Sequence, residues 1–354
     1  MASMPRCIAC SSTSDARMSL DTYLQQLWYD RPRAAWPLLP LSWLFGGMVS
    51  LRRWAFSIGL LRSTKVSKPV IVVGNLTVGG TGKTPIVIWL VNTLAAQGYQ
   101  VGVITRGYGG KAKSWPQQVK PDSDPNLMGD EAVLIAQETH CLVFAGPNRV
   151  AAAEQAIAAG ADVVISDDGL QHYRLQRDLE WVVVDASRLF GNGCLLPAGP
   201  LREPLQRLEI ANMVLFNQRV ARPPPALPIP YTTFRIALTK LRSIRSSEPR
   251  LLESLRGQQV HVVTGIGNPM SFLQALRAMG VRMDARVLRD HAELTVDDIE
   301  FGDALPVLMT EKDAVKCRRF AGTRHWAVGA EVLFDEADQQ RLLECVQHCL
   351  QAHR

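Results

Sequence analysis

Between Asp30 and Asp122 the chain has no acidic residue. The same stretch carries Arg31, Arg33, Arg52, Arg53, Arg62, Lys65, Lys68, Lys83, Arg106, Lys111, Lys113 and Lys120. A one-sign block of this length excludes a self-neutralised surface and calls for an anionic partner: phospholipid, nucleotide or phosphorylated substrate. Nucleic acid ranks below these, because no recognition motif accompanies the charge. Charge of either sign is missing from residues 34–51. Paired cysteines are lacking too. The seven cysteines are an odd number scattered over 354 residues, which argues against a disulfide framework and for free thiols in a reducing compartment. Cys7 and Cys10 have a redox or zinc spacing without a second pair, and Cys345, His348 and Cys349 could share a helix face without an evident fourth ligand.

What is present reads as a globular protein of two ordinary domains, with 47% hydrophobic and 20% charged residues. Residues 1–17 are Ser-rich and aperiodic. They read as a disordered leader or the product of an upstream start codon, with Met18 the natural beginning.

The uncharged segment holds Trp36, Leu38, Leu39, Leu41, Trp43, Leu44, Phe45, Met48 and Val49, with arginines at both flanks. It is short for a membrane-spanning helix, which needs about 20 residues, and Pro37, Pro40, Gly46 and Gly47 interrupt it. Trp28, Trp36, Trp43 and Trp54 cluster here, and amphipathic indoles prefer the headgroup level. These features favour a segment lying in the bilayer interface over one that crosses it. A buried core helix is the alternative. A signal peptide fits less well, since no small-residue cleavage site follows.

From Lys68 onward short apolar runs alternate with helical patterns. Strands are expected at residues 70–73, 101–105, 142–145, 163–166, 181–185 and 213–217. Helices are expected from Pro85 to Gly98, at 131–137 and at 149–159. Such alternation predicts a mostly parallel sheet with helices on both faces. Arg222-Pro-Pro-Pro-Ala-Leu-Pro-Ile-Pro230 breaks the pattern and marks a boundary. A strand pair is expected at 231–238, followed by strands at 260–264, 285–288, 306–309 and 325–328 and a final helix at 336–350. The division is therefore 1–17 leader, 18–66 membrane-interface segment, 67–221 nucleotide-binding domain, 222–245 Pro-rich and β linker, and 246–354 a second α/β domain.

The strongest chemical signal is Thr77-Val-Gly-Gly-Thr-Gly-Lys-Thr84, between a buried strand and a helix. Here Thr77, Val78, Gly79, Gly80, Thr81 and Gly82 would wrap ATP phosphates with backbone N–H groups at a helix N-terminus. Lys83 would reach the β- and γ-phosphates, and the Thr84 hydroxyl would bind Mg²⁺. The common pattern has glycine where Thr77 stands. Such a loop needs an acidic metal partner at a strand end, and Asp167 and Asp168 follow the apolar run 163–165. Gly129-Asp-Glu131 precedes a helix, where an acid can be a cap only. Arg106-Gly-Tyr-Gly-Gly110, at another strand end, could fold around a phosphate or sugar.

Taken together, these strings and Asp167-Asp-Gly-Leu-Gln-His172, Gly191-Asn-Gly193, Leu196-Pro-Ala-Gly-Pro-Leu-Arg-Glu-Pro204, Gly265-Ile-Gly-Asn-Pro269 and Thr310-Glu-Lys-Asp313 resemble the tetraacyldisaccharide 4'-kinase family of lipid A synthesis. The likeness runs from about Leu24 to Cys317. It implies a P-loop NTPase-like α/β/α sandwich with a second, smaller α/β/α domain and an N-terminal membrane-associated helix. It also implies ATP and Mg²⁺ as cofactors and γ-phosphoryl transfer to a membrane-held lipid A disaccharide precursor, giving lipid IVA at the cytoplasmic face of the bacterial inner membrane. No obligate protein partner is implied. By the family's pattern Asp130 is the general base and His291 orients or tunes it. Asp167 and Asp168 hold Mg²⁺ with Thr84, assisted by Glu131. Gln171, His172, Arg202 and Glu203 line the nucleotide side, and Arg106 and Tyr108 face the substrate. Around His291 the chain reads Leu288-Arg-Asp-His-Ala-Glu-Leu294, where the family more often has an aromatic residue and proline before Asp-His.

Two other functions fit parts of the pattern. A P-loop enzyme for a soluble substrate would leave the tryptophan-rich segment without a role. A membrane-bound nucleotide switch would need a guanine-reading string, which Asn217-Gln-Arg-Val220 does not provide.

Overall fold

A computed structural model describes residues 20–218, 229–246, 248–290 and 292–353. The leader, with Cys7 and Cys10, and most of the proline run at 222–230 lie outside the described residues.

The N-terminal segment begins with helix α1 (Leu20–Gln25), a π turn over Gln26–Asp30 and a tight helical stretch over Pro32–Leu38. Helix α2 (Leu39–Ser57) follows, with Pro40 in its first turn, where a missing N–H costs nothing. Its apolar residues are largely not packed: Trp43 is 71% exposed, Leu44 68% and Met48 65%. The buried-core alternative for this segment does not hold. The stretch Pro32–Ser57 contains an 18-residue window of mean hydropathy 1.3 and is long and apolar enough to cross a membrane.

The body is one mixed sheet. Its first seven strands are β1 (Val70–Gly74), β2 (Val101–Thr105), β3 (Gln117–Val119), β4 (Leu142–Ala145), β5 (Val163–Asp167), β6 (Leu179–Asp185) and β7 (Met213–Asn217). Next come β8 (Tyr231–Ser243), β9 (Pro249–Leu251), β10 (Gln259–Thr264), β11 (Arg282–Val287), β12 (Val307–Thr310) and β13 (His325–Phe334). The spatial order is β11-β10-β12-β13-β8-β7-β6-β1-β5-β2-β4-β3, with β9 on the side of β8. Strands β1, β2, β5, β6 and β7 are buried along their whole length. Parallel strands covered on both faces need side chains that are apolar in both directions, which is why they read as unbroken hydrophobic runs.

Residues 231–243 form one strand of 13 residues instead of a strand pair. No Gly, Pro or Asn interrupts them, so nothing turns the chain. The strand pairs parallel to β7 at its start and antiparallel to β13 over most of its length, and so joins the two halves of the sheet.

The helices needed to place the site are α3 (Lys83–Ala96), α4 (Pro125–Met128), α5 (Asp130–Thr139), α6 (Arg149–Ala158), α7 (Pro269–Ala278), α8 (Val296–Ile299), α9 (Glu311–Cys317) and α10 (Glu336–Gln351). Ile86, Val87, Leu90, Val91 and Leu94 of α3 are fully buried, in the same core as α5 and α10. Burial of such side chains is worth roughly 1.5–3 kcal/mol each, so α3 and the loop before it have a rigid base. The Cys345–His348–Cys349 face of α10 gathers no metal site: among the described residues no three His, Cys, Asp or Glu side chains do.

Candidate active site

The carboxyl ends of β1, β5 and β2 lie side by side, because β5 pairs parallel with both β1 and β2. The segments leaving these ends carry residues 75–82, Asp167-Asp168 and Arg106. Ligands of open α/β sheets bind at such strand ends.

Helix α3 starts at Lys83 after Gly82, which is left-handed (φ 99°), and no side chain caps it. Its first N–H groups are left to an anion, reinforced by the helix dipole. Asn75 Nδ2 donates to Thr77 O at 2.7 Å, and Asn217 Nδ2 donates to Thr81 O at 3.1 Å. On the other flank Val78 N donates to Pro200 O at 2.9 Å. The loop is therefore pinned at both sides by residues distant in sequence.

Lys83 Nζ pairs with Asp168 Oδ1 at 3.3 Å, and Arg202 Nη1 with Asp168 Oδ2 at 3.1 Å. Asp168 sits in the left-handed region, φ 49°, uncommon for a residue other than glycine. Burial alone would raise its carboxyl; Lys83 and then Arg202 outweigh that and hold it well below the usual carboxylate range. Asp167 behaves in the opposite way. Burial, then the nearby Glu131 carboxylate, pushes it up. Its Oδ1 accepts no hydrogen bond among the described residues. A buried carboxylate oxygen without a donor, in the field of a second acid, fits a divalent cation. Mg²⁺ sites use only one or two carboxylates beside phosphate and water, so these acids are enough in number for one.

Asp130 and Glu131 open α5. Gly129 before them has φ 91°, and a Cβ there would lie 2.7 Å from Tyr108 O, so only glycine lets this turn close against residues 107–108. Asp130 is 7% exposed, and Lys316 Nζ lies 3.6 Å from its Oδ2. Lys312 Nζ donates to Glu131 Oε1 at 3.0 Å and lies 3.9 Å from Asp290 Oδ1. Burial works against the charge on Lys312, but Glu131, Asp130 and Asp290 together raise it above the usual lysine range. His291 lies outside the described residues.

The remaining expected residues take indirect places. Gln171 Nε2 donates to Asn75 O at 3.2 Å, and Arg52 Nη2 of α2 donates to Gln171 O at 3.3 Å. Glu203 is buried and engaged with Tyr173 and Arg207. Gln171 thus braces the root of the loop, whereas Glu203, next in sequence to Arg202, belongs to a buried cluster. Arg106 and Tyr108 are exposed at the end of β2. Arg106 stands close enough to His172 and Arg149 to depress both.

Sequence reasoning missed Arg149. It is the first residue of α6, 3% exposed, and its Nη2 donates to Asp167 O at 2.9 Å. Its Nε and Nη1 donate no hydrogen bond among the described residues. Arg149, Arg52, Arg174, Asn148 and His172 line a cavity of about 280 Å³. Burial first, then Arg149 and Arg106, pulls His172 down to about 4.

These features match known proteins. The profile of the family described as tetraacyldisaccharide-1-P 4'-kinase aligns with residues 34–348. The chain belongs to this family. A tetraacyldisaccharide 4'-kinase of Nitrosococcus oceani is 46% identical over 321 residues, covering 90% of this chain and 93% of the relative. One from Haemophilus influenzae is 42% identical over 316 residues, covering 88% and 93%. The crystal structure of LpxK from Aquifex aeolicus in complex with ATP superposes with a TM-score of 0.78 at 26% identity, covering 90% of this chain and 99% of that one. The chain is thus an ATP-dependent kinase of lipid A biosynthesis, and its P-loop α/β architecture is that of the family.

Proposed function

We propose that the family's reaction proceeds here at a membrane surface. ATP gives its γ-phosphoryl group to the 4'-hydroxyl of tetraacyldisaccharide 1-phosphate, forming lipid IVA at the cytoplasmic face of the inner membrane. The observation that carries this reading is a short chain of hydrogen bonds. Arg52, on the exposed apolar helix α2, donates to Gln171 O, and Gln171 donates to Asn75 O at the root of the phosphate loop. An apolar surface and a nucleotide loop joined this closely suit an acceptor that cannot leave the bilayer. Ser42 Oγ also donates to Leu195 O at 2.8 Å. Contacts at both Ser42 and Arg52 keep α2 against the body, which favours a helix lying in the interface with Trp43, Leu44 and Met48 in lipid.

Residues 77–82 and the open N-terminus of α3 bind the ATP phosphates, and Lys83 neutralises the transferred group. Thr84, Asp167 and Asp168, with Glu131 assisting, would hold Mg²⁺, which when bound would supply charge neutralisation of the phosphates. Asp130 accepts the proton of the sugar hydroxyl, with His291 orienting or tuning it. Arg149, Arg174 and His172 offer the basic pocket for the acceptor's own 1-phosphate, because Arg149 has unused donors. Arg106 and Tyr108 face the same acceptor. Gln171, Arg202 and Glu203 act on the nucleotide side by holding the loop and Asp168.

The test is incubation with γ-labelled ATP and purified tetraacyldisaccharide 1-phosphate in detergent micelles, followed by separation of labelled lipids. A labelled bisphosphorylated lipid is the expected product. Label transferred only to soluble sugars would overturn the reading.

A further inference from the structure

The Thr310-Glu-Lys-Asp313 string has no part in the chemistry above, yet it lies against it. Asp313 is fully buried and accepts from Thr310 Oγ1 at 2.7 Å and from Gly265 N at 3.1 Å. It thereby ties the start of α9 to the loop after β10. That loop reaches the nucleotide end of the sheet: a Cβ on Gly267 would lie 2.9 Å from Asp290 Oδ2 and 3.5 Å from Gly80 N. From this anchored helix Lys312 and Lys316, one turn apart, project onto the first turn of α5. Lys312 meets Glu131 at 3.0 Å, and Lys316 bridges Asp313 at 3.4 Å and Asp130 at 3.6 Å.

We propose that Lys312 and Lys316 are positioning residues of phosphoryl transfer, reaching across from the C-terminal half of the sheet to fix the Glu131 and Asp130 carboxylates. Both lysine side chains are mostly buried, 17% and 10% exposed. Burying ammonium groups is costly, and buried ion pairs rarely repay that cost as stability. What they do provide is geometry. Asp130, Glu131, Asp290 and Asp167 converge here, and without interleaved cations the carboxylates would turn away from one another. A shift of about 1 Å in a reacting group costs on the order of 100-fold in rate. The inference rests on the reading of Asp130 as the base.

The test uses the full chain with ATP and tetraacyldisaccharide 1-phosphate in micelles, and compares Lys316→Met, Lys316→Arg, Asp130→Asn and the double variant Lys316→Met/Asp130→Asn. Lys316→Met is expected to lower kcat by about 10- to 100-fold while the KM for ATP stays within about threefold. Lys316→Arg, which keeps the charge and the fold, should recover most of the loss. On the slow residual turnover left by Asp130→Asn, Lys316→Met should cost less than about threefold, since the contact to Asp130 is gone and only that to Asp313 remains. Lys312→Met and Glu131→Gln should behave as a second such pair. An Asp130→Asn reduced to residual turnover beside a fully active Lys316→Met would overturn the inference and leave the base reading intact, as would losses that multiply on that residual turnover in the double variant. Full turnover by Asp130→Asn would remove the base reading and this inference with it.

Discussion

Lys83 Nζ lies 3.3 Å from Asp168 Oδ1, so the loop lysine has a carboxylate partner from the neighbouring strand end. Arg202 shares that carboxylate, which fixes all three side chains before a nucleotide enters. Asp168→Gly separates this role from backbone strain. Glycine accepts the φ of 49° without the roughly 1–2 kcal/mol penalty of a left-handed residue. That relief is offset by leaving the largely buried Lys83 without its carboxylate, so the melting temperature should fall or stay level while kcat/KM drops on the order of 100-fold. Lys83→Ala should suffer in both ATP affinity and rate, read by calorimetry and steady-state kinetics.

Asp130→Ala should abolish phosphoryl transfer while ATP affinity stays within about threefold, because the carboxylate acts on the acceptor and not on the nucleotide. Nucleotide titration beside a turnover assay checks both halves. Normal turnover would dismiss Asp130 as base.

The basic cavity makes a separate prediction about the acceptor. Arg174→Ala, at the cavity wall, should raise the KM for the lipid about tenfold and leave that for ATP unchanged, since a charge-assisted contact to phosphate contributes roughly 1.5–3 kcal/mol at most. An acceptor lacking the 1-phosphate should show no difference between the parent chain and the variant. A difference there would place the 1-phosphate elsewhere.

Helix α2 offers a surface that can be changed without touching the core. Trp43, Leu44 and Met48 are each more than half exposed. Replacing all three by serine should release the protein from phospholipid vesicles in a sedimentation assay and leave its melting temperature within a few degrees, as expected of surface substitutions. Continued vesicle binding would mean that another surface holds the protein to the membrane.

His172 gives a pH dependence whose sign is opposite to that of a paired histidine. Its folded value of about 4 lies below the ordinary 6.5, so on acidification the unfolded chain takes up the proton first. The stability it contributes is present above about pH 6.5 and is lost as the pH falls towards 4. His172→Gln should therefore show a smaller drop in melting temperature between about pH 7.5 and about pH 5 than the parent chain. An equal drop in both would place the imidazole in ordinary solvent.

Much of this protein is decided locally. The runs at 70–73, 101–105 and 163–166 became strands because an apolar run of that length between turn residues has no other stable use than a sheet buried on both faces. The phosphate loop was legible because glycine, lysine and threonine at fixed offsets suffice to make an anion cradle at a helix start. Exposure of α2 was foreshadowed by its tryptophans. Other features depend on chain segments that meet only after folding. Residues 231–243 carry no sign that one strand will serve both halves of the sheet; that depends on β7 and β13 lying on its two sides. Arg149 looked like an ordinary helix start, and its importance comes from the buried carbonyl of Asp167 beside it. Lys312 and Lys316 lie more than 180 positions from Glu131 and Asp130 in the chain, and no spacing rule spans that distance. The sequence alone determined that a nucleotide's phosphates would be held. Which charges stand opposite which, and hence how the acidic end of α5 is kept in place, was decided only by tertiary packing, because electrostatic partners are chosen by distance in space.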